Sequence, residues 1–259
     1  MHIPTLLVKD SITKQTTSQV FSNKNKGSLL YKTFFPPTNP NLTPPDDNYN
    51  YPPPRWTFNN ITNTQIHKAI DKMKPYKATM SGTISNSIFI HAKDLLVLYI
   101  GPLFRATHTL KFYPKEWALT KTLVLKKPGK PDYTIPGAWH PVILSNSLAH
   151  LLNGCLVLDV VTMCKTLNLL PANHFRVRPG CTTTDSIHLL TKTVKDSWRK
   201  NQVTSALLLD IKSTFPSIDI ARLVHNMRKR GIPELYTEWL TRWFKDRQTN
   251  LVFDGFQLG

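Results

Sequence analysis

Apolar positions recur at intervals of three and four residues through most of the chain after residue 61, the period of a helix with one buried face. Ile66, Ile70 and Met73 follow the capping residue Thr62 at that spacing, which predicts a helix over 62–74, closed by Pro75. The same period predicts helices over 87–98, 103–112, 148–167, 183–200, 220–230 and 233–246, with Ile187, Leu190 and Val194 on one face of the 183–200 helix. Around residues 122–126 the pattern changes to that of a strand. A Pro-Gly turn follows at 127–132, and 142–144 reads as the returning strand. Two further strands are predicted over 203–210 and 249–253, and the chain carries no internal repeat.

Before residue 56 no such period exists. Pro36-Pro37, Pro40, Pro44-Pro45 and Pro52-Pro53-Pro54 punctuate a segment rich in Asn, Thr and Ser, so residues 1–60 are expected to be a disordered, proline-rich linker. The remaining sequence is that of a globular protein with a sizeable core, 41% of the 259 residues being hydrophobic. Charge changes this picture more than composition does. Lys and Arg number 33 against 16 Asp and Glu, a net charge of +17 that favours a polyanionic partner, nucleic acid before an anionic membrane. The longest apolar run, 95–100, meets Gly101-Pro102, so no membrane span is expected, and the first residues lack a signal-peptide pattern. An intracellular location follows, cytoplasmic or nuclear. Cys155, Cys164 and Cys181 have neither disulfide nor zinc-finger spacing and are expected to be reduced thiols; the Asn41 and Asn60 sequons then carry no meaning.

The candidate chemistry sits at the end of the 203–210 strand. Leu207-Leu208-Leu209 delivers a single carboxylate, Asp210, and an ionised Asp next to an apolar run is costly to bury unless it holds a cation or a partner. Metal-dependent phosphoryl transfer needs at least a second carboxylate. No Asp-Asp follows Asp210; Asp46-Asp47 lies in the proline-rich segment, and Asp219 and Asp254 read as surface turns. The Lys126, Lys127 and Lys130 turn is either a phosphate-binding tip or a solvated basic loop. Trp117, Trp139, Trp198, Trp239 and Trp243 are possible base-stacking groups, although Trp239 and Trp243 lie four apart, as on a packing face. Met227-Arg228-Lys229-Arg230 either touches phosphate or closes a helix with favourable charge.

Several segments fall in a recognisable order. They are Ala69-Ile70-Asp71-Lys72-Met73-Lys74-Pro75-Tyr76-Lys77-Ala78; Leu125-Lys126-Lys127-Pro128-Gly129-Lys130 with Trp139-His140-Pro141-Val142-Ile143-Leu144; Asn173-His174-Phe175-Arg176-Val177-Arg178-Pro179-Gly180-Cys181-Thr182-Thr183-Thr184-Asp185; and the Asp210 strand. Together they resemble the reverse transcriptase of non-LTR, LINE-like retrotransposons, with the nearest likeness to fungal elements. The resemblance implies an α+β, partial right-hand polymerase, mostly helical with short antiparallel strands: fingers over 61–200 and the first part of a palm over 201–259, truncated before the Asp-Asp motif.

The implied activity is RNA-directed DNA polymerisation, a nucleotidyl transfer with Mg2+ as cofactor, an RNA template and DNA primer as partners, and deoxynucleotides as substrates. No membrane and no small-molecule cofactor are implied. Asp210 would be the catalytic carboxylate on both ions, with the Ile211 carbonyl completing the shell. Lys127 would reach the triphosphate, and Lys126, Lys130 and Arg178 would contact nucleic-acid backbone. Phe215 would either sit beneath the sugar of the nucleotide and exclude a 2′-hydroxyl, or be a core ring at a strand-to-helix turn. His140 stands where the family carries a phosphate-clamping arginine, and an imidazole cannot make that bidentate fork. The loop Thr79-Met80-Ser81-Gly82-Thr83-Ile84 and the Arg176, Val177 and Cys181 positions also depart from the family pattern. With half of the carboxylate set missing, the chain alone is expected to be inactive; the alternative is a non-catalytic, basic nucleic-acid-binding remnant.

Overall fold

Leu6–Lys9 (β1) and Thr16–Val20 (β2) pair antiparallel, and Asn23–Phe34 forms helix α1 under a Ser22 cap whose hydroxyl accepts from the Asn25 N–H. These elements occupy the first half of the segment expected to be a disordered linker. They are ordered because Ile3, Leu6, Leu30 and Phe34 are all buried, which offsets the entropy of fixing the chain. The structure, a computed structural model, describes residues 2–10, 13, 15–37, 43, 45, 48–176, 178, 180–210, 218–245 and 247–258.

Helix α2 (Asn63–Asp71) begins with a reciprocal capping box: the Thr62 N–H donates to Gln65 Oε1 at 2.7 Å and the Gln65 N–H to Thr62 Oγ1 at 3.2 Å. Asn86–His91 (α3) and Lys93–Thr109 (α4) follow. The expected break at Gly101-Pro102 does not occur; α4 runs through Pro102, with Val97, Ile100 and Phe104 buried on both sides of it. Gly101 has a packing role instead. A Cβ there would lie 2.6 Å from Asn63 Oδ1, in the place where Arg105 Nη1 donates to the Ile61 carbonyl (3.1 Å) and to Asn63 Oδ1 (3.2 Å). The missing side chain lets the start of α2 approach α4.

After a single helical turn, α5 (Lys115–Ala118), come β3 (Leu119–Lys126) and β4 (Trp139–Ser145), the predicted antiparallel pair, with Leu125 opposite His140 and Lys126 opposite Trp139. Then follow α6 (Ser147–Thr166), α7 (Thr183–Arg199), α8 (Ile220–Lys229), α9 (Glu234–Lys245), β5 (Gln248–Phe253) and β6 (Phe256–Leu258). The sheet order is β4-β3-β5-β6, with β3 and β5 parallel and the other pairs antiparallel. That parallel pairing departs from the all-antiparallel expectation. It is reinforced by the Thr122 and Thr249 hydroxyls, 2.6 Å apart, and by the Thr120 hydroxyl, which donates to the Gln248 carbonyl. The fold is α+β. Ile3, Leu6, Leu30 and Phe34 pack with Val124, Trp139, Leu251 and Phe253, so the N-terminal elements complete the core of the sheet.

Two units divide the chain: residues 1–155 with 213–259, and residues 156–212. In the first, an aromatic cluster binds α9 to the end of α4: His108 stacks on Trp239 (6.0 Å, 18°) and Trp239 on Trp243 (6.1 Å, 16°). Trp239 and Trp243 therefore form a packing face, as their spacing predicts. Burial, with a smaller push from the Arg242 charge, holds the His108 pKa down at about 4. The proline-rich segment is also placed. Its described residues follow α8 in the same direction: the Thr43 carbonyl accepts from Arg222, the Tyr51 hydroxyl lies 3.0 Å from His225 Nδ1, and the Arg55 N–H donates to the Gly231 carbonyl at 2.8 Å.

In the second unit α7 forms as predicted, under a Thr182–Asp185 capping box, yet none of its residues is buried and Ile187 is exposed on the expected apolar face. The predicted strand over 203–210 is not formed. Among the described residues these pair with no other strand, and Leu207, Leu208 and Leu209 are 83%, 88% and 82% exposed. An isolated apolar run cannot satisfy a ladder by itself; it needs a neighbour to become a strand. Helix α6, not the 95–100 run, is long and apolar enough to cross a membrane by length and composition, and 39% of its apolar window is buried.

Candidate nucleic-acid interface

Lys126, Lys127, Lys130 and His140 all come from one hairpin, built by β3, β4 and the loop between them. Asp132 shapes that loop: its Oδ1 accepts from the Thr134 N–H (2.8 Å) and hydroxyl (2.6 Å), and these bonds hold its carboxyl below the usual range, with Lys9 at 3.7 Å adding to the effect. The loop is further fixed by the Leu7 N–H, which donates to the Thr134 carbonyl, and by the Tyr133 hydroxyl, which donates to the Lys127 carbonyl at 2.8 Å. Gly129, at φ +71°, supplies the left-handed turn residue between Lys127 and Lys130.

On this frame the basic groups differ. Lys126 ends β3 exposed, its ammonium 5.0 Å from the Tyr133 ring and 5.9 Å from the Trp139 ring. Lys130 is exposed in the turn, and His140 is exposed on β4. Lys127 is folded back: its ammonium donates to the Gly137 carbonyl at 2.9 Å, and its N–H donates to the Ala138 carbonyl at 2.9 Å. The expected reach toward a triphosphate is thus occupied by a backbone acceptor. Trp139 is fully buried, and Trp117 and Trp239 nearly so, which removes all three as base-stacking groups. Tyr133, beside Lys126, was not foreseen; a lone aromatic in a loop has no periodicity to mark it.

The other predicted residues lie in the second unit or outside the described residues. Arg178 is half-buried and donates through Nη1 to the Pro171 (3.2 Å) and Ala172 (3.0 Å) carbonyls, so it braces its own loop. Asp210 is exposed at the end of the unformed strand. Among the described residues no three His, Cys, Asp or Glu side chains converge to hold a metal ion. Ile211 and Phe215 lie outside the described residues. One carboxylate is too small a donor set for two divalent ions, so the residues described do not by themselves fit a two-metal centre. Asp219 and Asp254 have structural roles: Asp219 Oδ1 accepts from the Arg222 N–H at the start of α8, and Asp254 Oδ2 accepts from the Ile3 N–H.

The chain is similar to the probable RNA-directed DNA polymerase from transposon BS of Drosophila melanogaster, with 24% identity over 184 residues, covering 71% of this chain and 20% of that protein. It is also similar to the probable RNA-directed DNA polymerase from transposon X-element of Drosophila melanogaster, 23% identical over 154 residues, covering 60% of this chain and 17% of the relative. No protein-family model matches the chain. The chain is thus similar, at low identity, to transposon RNA-directed DNA polymerases and spans about a fifth of the length of these curated relatives.

Proposed function

We propose that this chain is part of the RNA-directed DNA polymerase of a non-LTR retrotransposon, with residues 61–200 as fingers and 201–259 as the first part of a palm. The similarity over 184 residues to a transposon polymerase carries this reading, and the order of the sequence motifs and the β3–β4 hairpin support it. Its substrates would be an RNA template, a DNA primer and deoxynucleotides. Lys126 and Lys130, both exposed, would meet phosphate. Lys127 would join them by exchanging the neutral Gly137 carbonyl for a charged phosphate oxygen, a stronger acceptor. His140, lacking a guanidinium fork, would hold the nucleotide less firmly than an arginine.

Asp210 would contribute one carboxylate to a divalent-metal site, Mg2+ by the chemistry of phosphoryl transfer, whose remaining carboxylates come from another segment. The 203–210 run would become a strand when that segment pairs with it. On this reading the isolated chain binds nucleic acid but does not polymerise.

The test is Mg2+-dependent primer extension on an RNA template, by the purified chain and by the chain fused to the downstream portion of the transposon BS polymerase, each with an Asp210→Asn counterpart. Extension by the fusion alone, lost with Asp210→Asn, is expected. A fusion that folds and binds template yet never extends refutes the polymerase assignment. Extension by the isolated chain would refute the shared carboxylate set.

A further inference from the structure

Three adjoining cavities of the first unit form one groove. The largest, about 670 Å³, lies where the proline-rich segment meets α8 and α9 and is bounded by Tyr51, His225, Arg228 and Lys245. It shares Ile220 and Phe244 with a second of about 320 Å³, which reaches β3 and β5. That one shares Tyr31, Arg247 and Thr249 with a third of about 340 Å³, which ends at Asn250 and Leu258. None of the described residues lining the three is acidic.

Among the described residues, Lys245 and Arg247 are the groove cations without a carboxylate partner, whereas Arg228 has one. Lys245 is exposed and has no acidic partner among the described residues. Arg247 is half-buried with its guanidinium 5.1 Å over the Trp243 ring and likewise faces no carboxylate among them. Arg228 lies 4.1 Å from the Tyr51 ring and shares Glu234 at 3.1 Å. Burial lowers the proton affinity of Arg247, the nearby Tyr113 partly opposing this, and an arginine stays charged nonetheless. A partly desolvated guanidinium of this kind is stabilised by an anion. Aromatic rings stand along the same path: Tyr51 at one end, Phe244 in the middle, and Tyr31, which contacts Phe35 at 5.1 Å, beyond it.

We propose that this groove is a binding site for single-stranded nucleic acid, distinct from the basic tip of the β3–β4 hairpin, none of whose residues lines it. Alternating cations and rings along a groove fit a strand with accessible bases: phosphates meet Lys245 and Arg247, and bases stack on Tyr31 and Tyr51. A duplex would offer the phosphates but keep its base faces hidden, and an acidic peptide would leave the rings unused. The proposal deepens the polymerase reading by adding a second contact surface, yet it stands on the groove alone.

The experiment uses the whole chain without divalent ions or nucleotides, so polymerisation plays no part in the readout. Anisotropy of a labelled oligouridylate of about a dozen nucleotides is followed against salt for the native chain and for Lys245→Gln, Arg247→Gln and Tyr51→Leu. Lys68→Gln, on the exposed side of α2, serves as the charge control. Each groove variant is expected to bind roughly five- to tenfold more weakly. Lys245→Gln should also reduce the slope of log affinity against log salt by about 0.7. Lys245 is exposed, so its substitution tests the site even where Arg247→Gln impairs folding.

Native affinity and slope in Lys245→Gln, with native affinity in a folded Tyr51→Leu, overturn the proposal. So does an equal loss for Lys68→Gln, an equal loss for a duplex of the same length, or competition by polyglutamate as effective as by RNA. Self-association in sedimentation that the same substitutions abolish would assign the groove to a second copy and overturn it too. Binding through the groove by the chain, with a folded fusion that binds template yet never extends a primer, would keep this site and refute only the polymerase reading.

Discussion

The backbone N–H of Ile3 donates to the Asp254 carboxylate at 2.7 Å, joining positions 251 apart in sequence. The Ile3 carbonyl in turn accepts from the buried ammonium of Lys26 at 2.8 Å, so this one residue is held through both of its backbone polar groups. Asp254 can do this because it sits at φ +49° in the tight Asp-Gly turn between β5 and β6, followed by Gly255 at φ +71°. Removing its side chain with Asp254→Ala strands a buried N–H and puts an unsuitable residue at positive φ. A loss of about 2 kcal/mol is expected. Asp254→Asn keeps an acceptor and tolerates the turn, so it should cost about 1 kcal/mol or less. Urea denaturation of the two variants checks the order.

Gly231 ends α8 at φ +81°, and a Cβ there would lie 2.6 Å from the Arg55 side chain. Gly231→Ala combines backbone strain with displacement of the proline-rich segment, and should destabilise by about 1–2 kcal/mol. In chemical denaturation the midpoint should fall, and limited proteolysis should cut near residue 55 sooner.

His108 sets a pH dependence. Its pKa falls from 6.5 to about 4 on folding, because the buried ring resists charging. The unfolded chain therefore binds more protons between these values. The stability contributed by the neutral ring is complete above pH 6.5 and is lost as pH falls toward 4, by at most about 3 kcal/mol. Thermal melts of the native chain and of His108→Phe across this range should converge in slope for the variant.

Leu208, 88% exposed, contributes no packing in this chain. Leu208→Ser and Asp210→Asn should each leave the melting free energy within about 0.5 kcal/mol. A larger loss in either variant would show that the 203–210 run is already engaged in the chain.

Helices were legible where local chemistry coincides with packing. Thr62 with Gln65, the apolar periods of α6, α8 and α9, and the β3–β4 pair are all visible within a short window of sequence. The N-terminal elements were not, because Leu6 and Leu30 become core residues only against Leu251 and Phe253, more than 200 positions away. Pro102 misled for a related reason: Ile100 and Phe104 outweigh the one hydrogen bond that a proline removes. At the candidate site, the basic hairpin was visible as a Lys-Pro-Gly-Lys turn, but the inward fold of Lys127 depends on the Gly137 carbonyl across the loop. The Tyr51–His225–Arg228 cluster had no local signal, since its members lie up to 177 residues apart and Tyr51 belongs to a stretch with linker composition.

The burial of α1 against β5 has a consequence for synthesis on the ribosome. Leu30 and Phe34 emerge first, and the Leu251 and Phe253 side chains that complete their pocket emerge more than 200 residues later. At roughly 5–20 residues per second this apolar face waits on the order of 10–40 seconds for its partner. Through that interval the nascent chain presents an amphipathic helix and an unfinished sheet edge to its surroundings. Such transiently exposed apolar surface makes the unfinished chain prone to aggregation before the fold can close.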